Sequence, residues 1–101
     1  MTVVTVFRSR LREGVEADYG PLAHEMARLA ATMDGFVDQR SYLADDGERV
    51  TIVRFADRAS HERWALHPAH RAAQVRGRDE FYLWYELSVS EQTRSVTYPA
   101  G

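Results

Sequence analysis

The chain has 101 residues, 45% of them hydrophobic and 28% charged, with a formal net charge of −2. That length suits one domain, expected over residues 1–101 with 92–101 as a polar tail, and its shallow core would gain from a second copy. The balance of charge leaves no basic footprint for nucleic acid, no stretch approaches a membrane span, and the lack of cysteine removes disulfides, thiolate chemistry and thiolate metal sites.

A cysteine-free chain fits a reducing, cytoplasmic setting. The apolar start TVVTVF has no positive leader or cleavage site and is not read as a signal peptide. Every one of the 13 basic residues is Arg, a skew given no functional weight.

Thr2 to Arg12 is predicted as the first strand. Val4 and Val6 face one way and Val3, Phe7 and Leu11 the other, so both faces carry apolar groups. Glu13-Gly14 breaks it. A helix is predicted from Leu22 to Met33, beginning near Glu16. Tyr19, Leu22, Ala23, Met26, Leu29, Ala30 and Met33 form one stripe at helical spacing. Gly20-Pro21 is expected to kink its first turn or set it apart, and Asp34-Gly35 to end the helix. The second strand is placed at Phe36 to Ala44 and the third at Glu48 to Ala56, joined by a hairpin at Asp45-Asp46-Gly47. Asp57 can cap a helix starting at Arg58, its carboxylate accepting free backbone N–H groups.

The stretch from Trp64 to Glu86 organises the remainder. Pro68 lacks an N–H and crowds His67, so the helix breaks there and a second piece runs from Ala69 to about Arg76. Gly77 is expected to close that piece in left-handed geometry. Asp79 to Glu91 is predicted as the fourth strand, with Phe81-Tyr82-Leu83-Trp84-Tyr85 bulky on both faces. Val96 to Tyr98 is a candidate short edge strand.

The order βαββαβ defines an α+β, ferredoxin-like fold: a four-stranded antiparallel sheet with both helices on one face. The helix-free face is expected to carry some of Val4/Val6, Tyr42, Val53/Phe55 and one side of residues 81–89. A two-fold axis packing two such faces together would bury them and make a homodimer.

With those residues placed, the chain resembles the antibiotic biosynthesis monooxygenase family of dimeric α/β barrels. The resemblance is sharpest from Ser60 to Glu86: Trp64 on its helix, His67-Pro68-x-His70-Arg71, the Gly77-Arg78 turn, and Phe81-Tyr82-x-x-Tyr85. It implies a barrel-forming dimer with a pocket between sheet and helices in each subunit. Some members oxygenate phenolic polyketides without metal or flavin, and others cleave haem.

Two residues are candidates for catalysis. A Trp at the position of Trp64 lines the pocket in active family members, where its ring can stack on a flat substrate; equally, it can simply pack the helix on the sheet. His70 lies six residues later, where phenol-oxygenating relatives have Tyr, and could take a phenolic or α-carbon proton near neutral pH. Its alternative is a capping or surface role beside Pro68. Ser60 stands four residues before Trp64, where those relatives have Asn, and keeps a hydroxyl for substrate binding. Arg40, Arg54, Tyr42 and Tyr82 complete the substrate-binding candidates: an Arg in the pocket would stabilise a phenolate permanently. Arg78 and Tyr85 stand behind them, and a solvated strand position is the alternative for each Arg.

No metal site is expected, because Pro68 breaks the His67/His70 spacing and no local carboxylate completes a set. Haem-cleaving relatives use an Asn on the first strand and a His ten residues after the Trp; this chain has no Asn, and Gln74 stands in the second place. The function the resemblance implies is a monooxygenase of small aromatic, phenolic or quinol-like substrates, with no cofactor and molecular oxygen as co-substrate. A non-catalytic ligand-binding dimer and a polyketide cyclase-like protein are the alternatives.

Overall fold

The computed structural model describes residues 1–100. Its elements follow one another as β1 (Val3–Leu11), α1 (Glu16–Ala31), β2 (Phe36–Leu43), β3 (Arg49–Phe55), α2 (Arg58–Ala65), α3 (Pro68–Arg76), one π-helical turn (Gly77–Phe81) and β4 (Tyr82–Glu91). The strands form one sheet in the order β2-β3-β1-β4, and each neighbouring pair is antiparallel. This is the ferredoxin-like arrangement expected from the element order.

The registers assign each strand residue to a face, because side chains alternate along a strand. Val3 pairs with Phe55, and both are buried beneath the helices. Phe55 forms a core cluster with Ala30 and Trp64, and Met26, Leu29, Met33, Phe36 and Val53 pack on it. Burying side chains of this size stabilises the fold by about 1.5–3 kcal/mol each. The opposite face carries Val4, Val6, Arg8 and Arg10 from β1, paired with Arg54, Ile52 and Val50 on one side and with Ser90, Ser88, Glu86 and Trp84 on the other. Val4, Val6 and Tyr42 lie on the helix-free face as expected. Val53 and Phe55 do not: they face the helices.

Two registers shift. On β2 the irregularity falls between Phe36 and Asp38, and on β1 between Arg10 and Leu11 opposite Tyr82 and Trp84. Each extra residue reverses the alternation beyond it. Phe36 therefore faces the core, while Asp38, Arg40 and Tyr42 face away from it.

The helix boundaries have local causes. The Asp57 side chain accepts the Ser60 backbone N–H at 2.8 Å, the cap foreseen for α2. Pro68 opens α3, and His67 outside it accepts the Ala69 N–H on Nδ1 at 3.1 Å. Gly35 takes φ +86° after α1, and a Cβ there would meet the Ser60 Oγ at 2.1 Å, so the glycine also admits α2 to the core.

Four local expectations are corrected. α1 runs unbroken from Glu16 to Ala31 with Pro21 inside it, the helix tolerating the loss of the one bond that an N–H at position 21 would give to the Ala17 oxygen. Gly77 is right-handed, at φ −56° and ψ −51°, and the chain continues as the π turn before β4 begins at Tyr82 rather than Asp79. Val96 to Tyr98 forms no strand; Val96 and Tyr98 are exposed.

Candidate active site on the helix side of the sheet

The end of α2 and the start of α3 bring Trp64 and His70 together. Their rings stack with centroids 4.2 Å apart and 12° between planes. The His70 Nδ1 lies 3.1 Å from the Trp64 carbonyl oxygen. A carbonyl can only accept, so Nδ1 carries the proton and donates, and Nε2 is left with the lone pair of the neutral ring. Burial lowers the His70 pKa from its ordinary value of 6.5, outweighing the opposing effect of the Trp64 carbonyl; the nearby His67 and His61 lower it further. The break at Pro68 makes this pairing possible, since it folds the chain back by a turn between the two residues.

Trp64 is 6% exposed and packs in the core with Ala30 and Phe55. His70 covers one face of its indole. Ser60 is likewise buried, and its hydroxyl donates to Asp57 Oδ1 at 2.6 Å. That bond and the backbone N–H of Ser60 hold the Asp57 carboxyl below the usual carboxylate range. The hydroxyl expected to meet substrate thus serves the helix cap.

Arg40, Tyr42 and Arg54 are not brought to this layer. All three lie on the helix-free face, because the irregularity before Asp38 turns β2 over and Arg54 neighbours the inward Phe55. Arg54 is paired there with Asp38, and Arg40 lies over the Tyr42 ring at 5.6 Å. Arg78 is exposed and gives its backbone oxygen to Arg12.

Tyr82 does face the helices. Its ring meets Phe7, Tyr19 and Tyr85 edge-on, at 5.3–5.7 Å between centroids. Its hydroxyl donates to the Tyr19 oxygen at 3.2 Å, and burial pushes its pKa upward, so it stays protonated. Gly77 is the reason this ring fits: a Cβ there would lie 2.4 Å from the Tyr82 Cε2.

Two residues of this corner escaped the sequence reading. Tyr19 reads only as part of an apolar stripe. Arg49 opens β3, and its guanidinium lies 5.6 Å from the Tyr19 ring centroid. The signal for Arg49 was present: it stands an even number of residues before Phe55, so it shares the core-facing side.

Two open clefts border the sheet. One, of about 360 Å³, lies between α2 and β4 and is lined by Val3, His61, Val89 and the Arg58–Glu91 pair among others. The other, of about 460 Å³, is lined by Leu11, Leu43, Leu83, Arg49 and the carboxylates Glu13 and Glu16, with Arg10 and Gly47. Trp64 and His70 line neither. Among the described residues no group of three or more His, Asp or Glu is gathered as metal ligands would be, and no helix is long and apolar enough to cross a membrane.

A four-stranded antiparallel sheet with helices on one face, with Trp64 buried beneath a stacked His70, defines a ferredoxin-like α+β protein. The chain belongs to the antibiotic biosynthesis monooxygenase family, whose sequence profile matches residues 2–76. It is 29% identical over 89 residues to the uncharacterized protein YqjZ of Bacillus subtilis (strain 168), covering 88% of this chain and 78% of that one. Among solved structures it is similar to Rv0793 of Mycobacterium tuberculosis, with a TM-score of 0.85 at 16% identity over 96% of this chain and 100% of the other. It is also similar to SnoaB, a cofactor-independent oxygenase from Streptomyces nogalater, with a TM-score of 0.79 at 21% identity and 98% coverage of both chains. At these identities the two structural likenesses establish the fold.

Proposed function

We propose that this chain is a monooxygenase of small aromatic or phenolic substrates that needs neither metal nor flavin and takes molecular oxygen as co-substrate. Family membership and the likeness to SnoaB support the reaction class. The observation that carries the proposal is the His70–Trp64 stack: it holds a neutral imidazole with Nε2 free to take a proton. In this reading His70 is the base. Trp64 is a positioning residue, fixing His70 through its ring and its carbonyl.

The chemistry balances without a further reductant. Loss of a proton from an activated CH₂ between aromatic rings gives an electron-rich anion. The anion reduces O₂; one oxygen atom ends as the new C=O and the other leaves as water. The protein then has to orient the substrate, exclude water and stabilise charge. Trp64 is 6% exposed, so substrate meets the stack at the half-buried His70.

The test is oxygen uptake by the purified protein with anthrone-type substrates. Uptake above the uncatalysed rate is expected, with His70→Ala lowering kcat by about 10²-fold, the scale of a lost general base. No uptake across a substrate panel overturns the proposal.

The burial of Trp64 and the engaged Ser60 hydroxyl favour one second reading, a dimer that binds an aromatic ligand without turnover. Binding without oxygen consumption would identify it, and ring closure without oxygen incorporation would identify a cyclase-like activity. The cysteine-free composition supports a cytoplasmic setting for any of these.

A further inference from the structure

We infer that the corner formed by Arg49 and Tyr19 is an anion-binding site, and that the ligand it takes is a small aromatic carboxylate or a phenolate of the same shape. The charge preference stands with or without turnover; only the aromatic part rests on the reading above.

The first observation is the state of Arg49. Arg8, Arg10, Arg28, Arg54, Arg58 and Arg76 each hold a carboxylate. Arg49 holds none among the described residues, nor do Arg12, Arg40, Arg63, Arg71, Arg78 and Arg94, but none of those lines the 460 Å³ cleft. Arg49 is half-buried and lines that cleft. A guanidinium in that position keeps its charge at any ordinary pH and presents several N–H donors with nothing to receive them.

The second observation is the direction of the tyrosine hydrogen bond. Tyr82 donates to the Tyr19 oxygen, so the Tyr19 hydroxyl proton is left to point elsewhere. A hydroxyl that already accepts a hydrogen bond is a better donor, because the chain of bonds polarises it. Burial keeps the Tyr82 hydroxyl protonated, so this donation persists in alkaline solution. Arg49 lies against the same Tyr19 ring. The Arg49 guanidinium and the Tyr19 hydroxyl are thus two donors on one corner, a pattern that suits an oxyanion, while the Glu13 and Glu16 carboxylates are the acceptors of the cleft.

The third observation is the cleft wall. Leu11, Leu43 and Leu83 line it beside Arg49, and Tyr19 stands behind the guanidinium. Apolar walls with a single unpaired cation select a ligand with a flat apolar body and one anionic end. Glu13 and Glu16 also line the cleft and disfavour a ligand with a second negative charge.

The probes are 1-naphthoate and its neutral isostere 1-naphthamide, titrated calorimetrically into the full chain. Wild-type protein is expected to bind naphthoate at least tenfold tighter. Arg49→Gln should erase that difference while leaving naphthamide binding unchanged, and Arg49→Lys should restore part of it. Arg54→Gln, on the opposite face, should change neither. Should Arg49→Gln fail to fold, Tyr19→Phe and a salt titration of the wild type take its place: both should weaken naphthoate and spare naphthamide. Equal affinity for the two probes, a preference that survives Arg49→Gln, or no binding of either probe overturns the inference. Oxygen uptake that is present while the charge preference is absent sinks this inference alone; the reverse result sinks the oxygenase alone.

Discussion

His70 shows how one hydrogen bond assigns chemistry. The Trp64 carbonyl takes the Nδ1 proton, and stacking on the indole removes water from the ring. Both effects belong to the break at Pro68, without which residues 64 and 70 would not face one another. Because burial lowers the His70 pKa below 6.5, the neutral ring that such a reaction needs is the dominant form at pH 7. We expect kcat/KM to fall on acidification with a midpoint below 6.5; a midpoint above that value removes His70 as the base. The sign for stability follows from the same shift. Between the lowered folded value and the unfolded value near 6.5 the unfolded chain binds more protons, so stability is lost as pH falls through that window and levels off beneath it.

At the scale of elements, the π turn decides how β4 enters the sheet. It adds a residue between α3 and β4, which buries Phe81 against Tyr19 and turns Tyr82 toward Gly77. Arg12 secures the turn by donating to the backbone oxygens of Arg78, Asp79 and Tyr82 at 2.9–3.2 Å. Gly77→Ala tests the packing. Alanine is the better helix former by about 1 kcal/mol, but its methyl would strike a Tyr82 ring hemmed in by Phe7, Tyr19 and Tyr85. We expect a net loss of about 1–3 kcal/mol in urea unfolding, the usual range for overpacking. Unfolding of Gly77→Ala at the wild-type midpoint would show that the ring has room to move.

The whole molecule presents a helix-free sheet face whose centre is Val4, Val6, Val50 and Ile52. Around it Arg54 pairs with Asp38, Arg8 with Glu48 and Glu86, and Arg10 with Asp46. These charges are neutralised within the chain, so a covering surface need not supply partners for them. Edge residues Tyr42 and Trp84 add exposed aromatic area on the same face. We propose that a second copy covers it about a two-fold axis, because the face is self-complementary in character: apolar centre on apolar centre, paired ions at the rim. Light scattering should find a dimer, and Ile52→Arg should give a folded monomer. A wild-type monomer at micromolar concentration contradicts the proposal.

Much of the architecture was legible because its causes are local. Alternation marked the strands, helical spacing marked α1, Asp57 marked the start of α2, and Pro68 marked the break that pairs Trp64 with His70. The facing of each strand was not local. It depends on register and on two irregularities, one reversing β2 after Phe36 and one admitting Tyr82 to the helix side. With Val53 and Phe55 facing the helices, Arg49 shares their side of β3 and Arg54 lies on the opposite one. The sequence by itself determined which elements form and in what order, since capping, periodicity and proline act over a few residues. Only the tertiary structure decided which arginine sits under the helices, because a side chain's face is a property of the paired strand, set by partners 40 or more residues away in the chain.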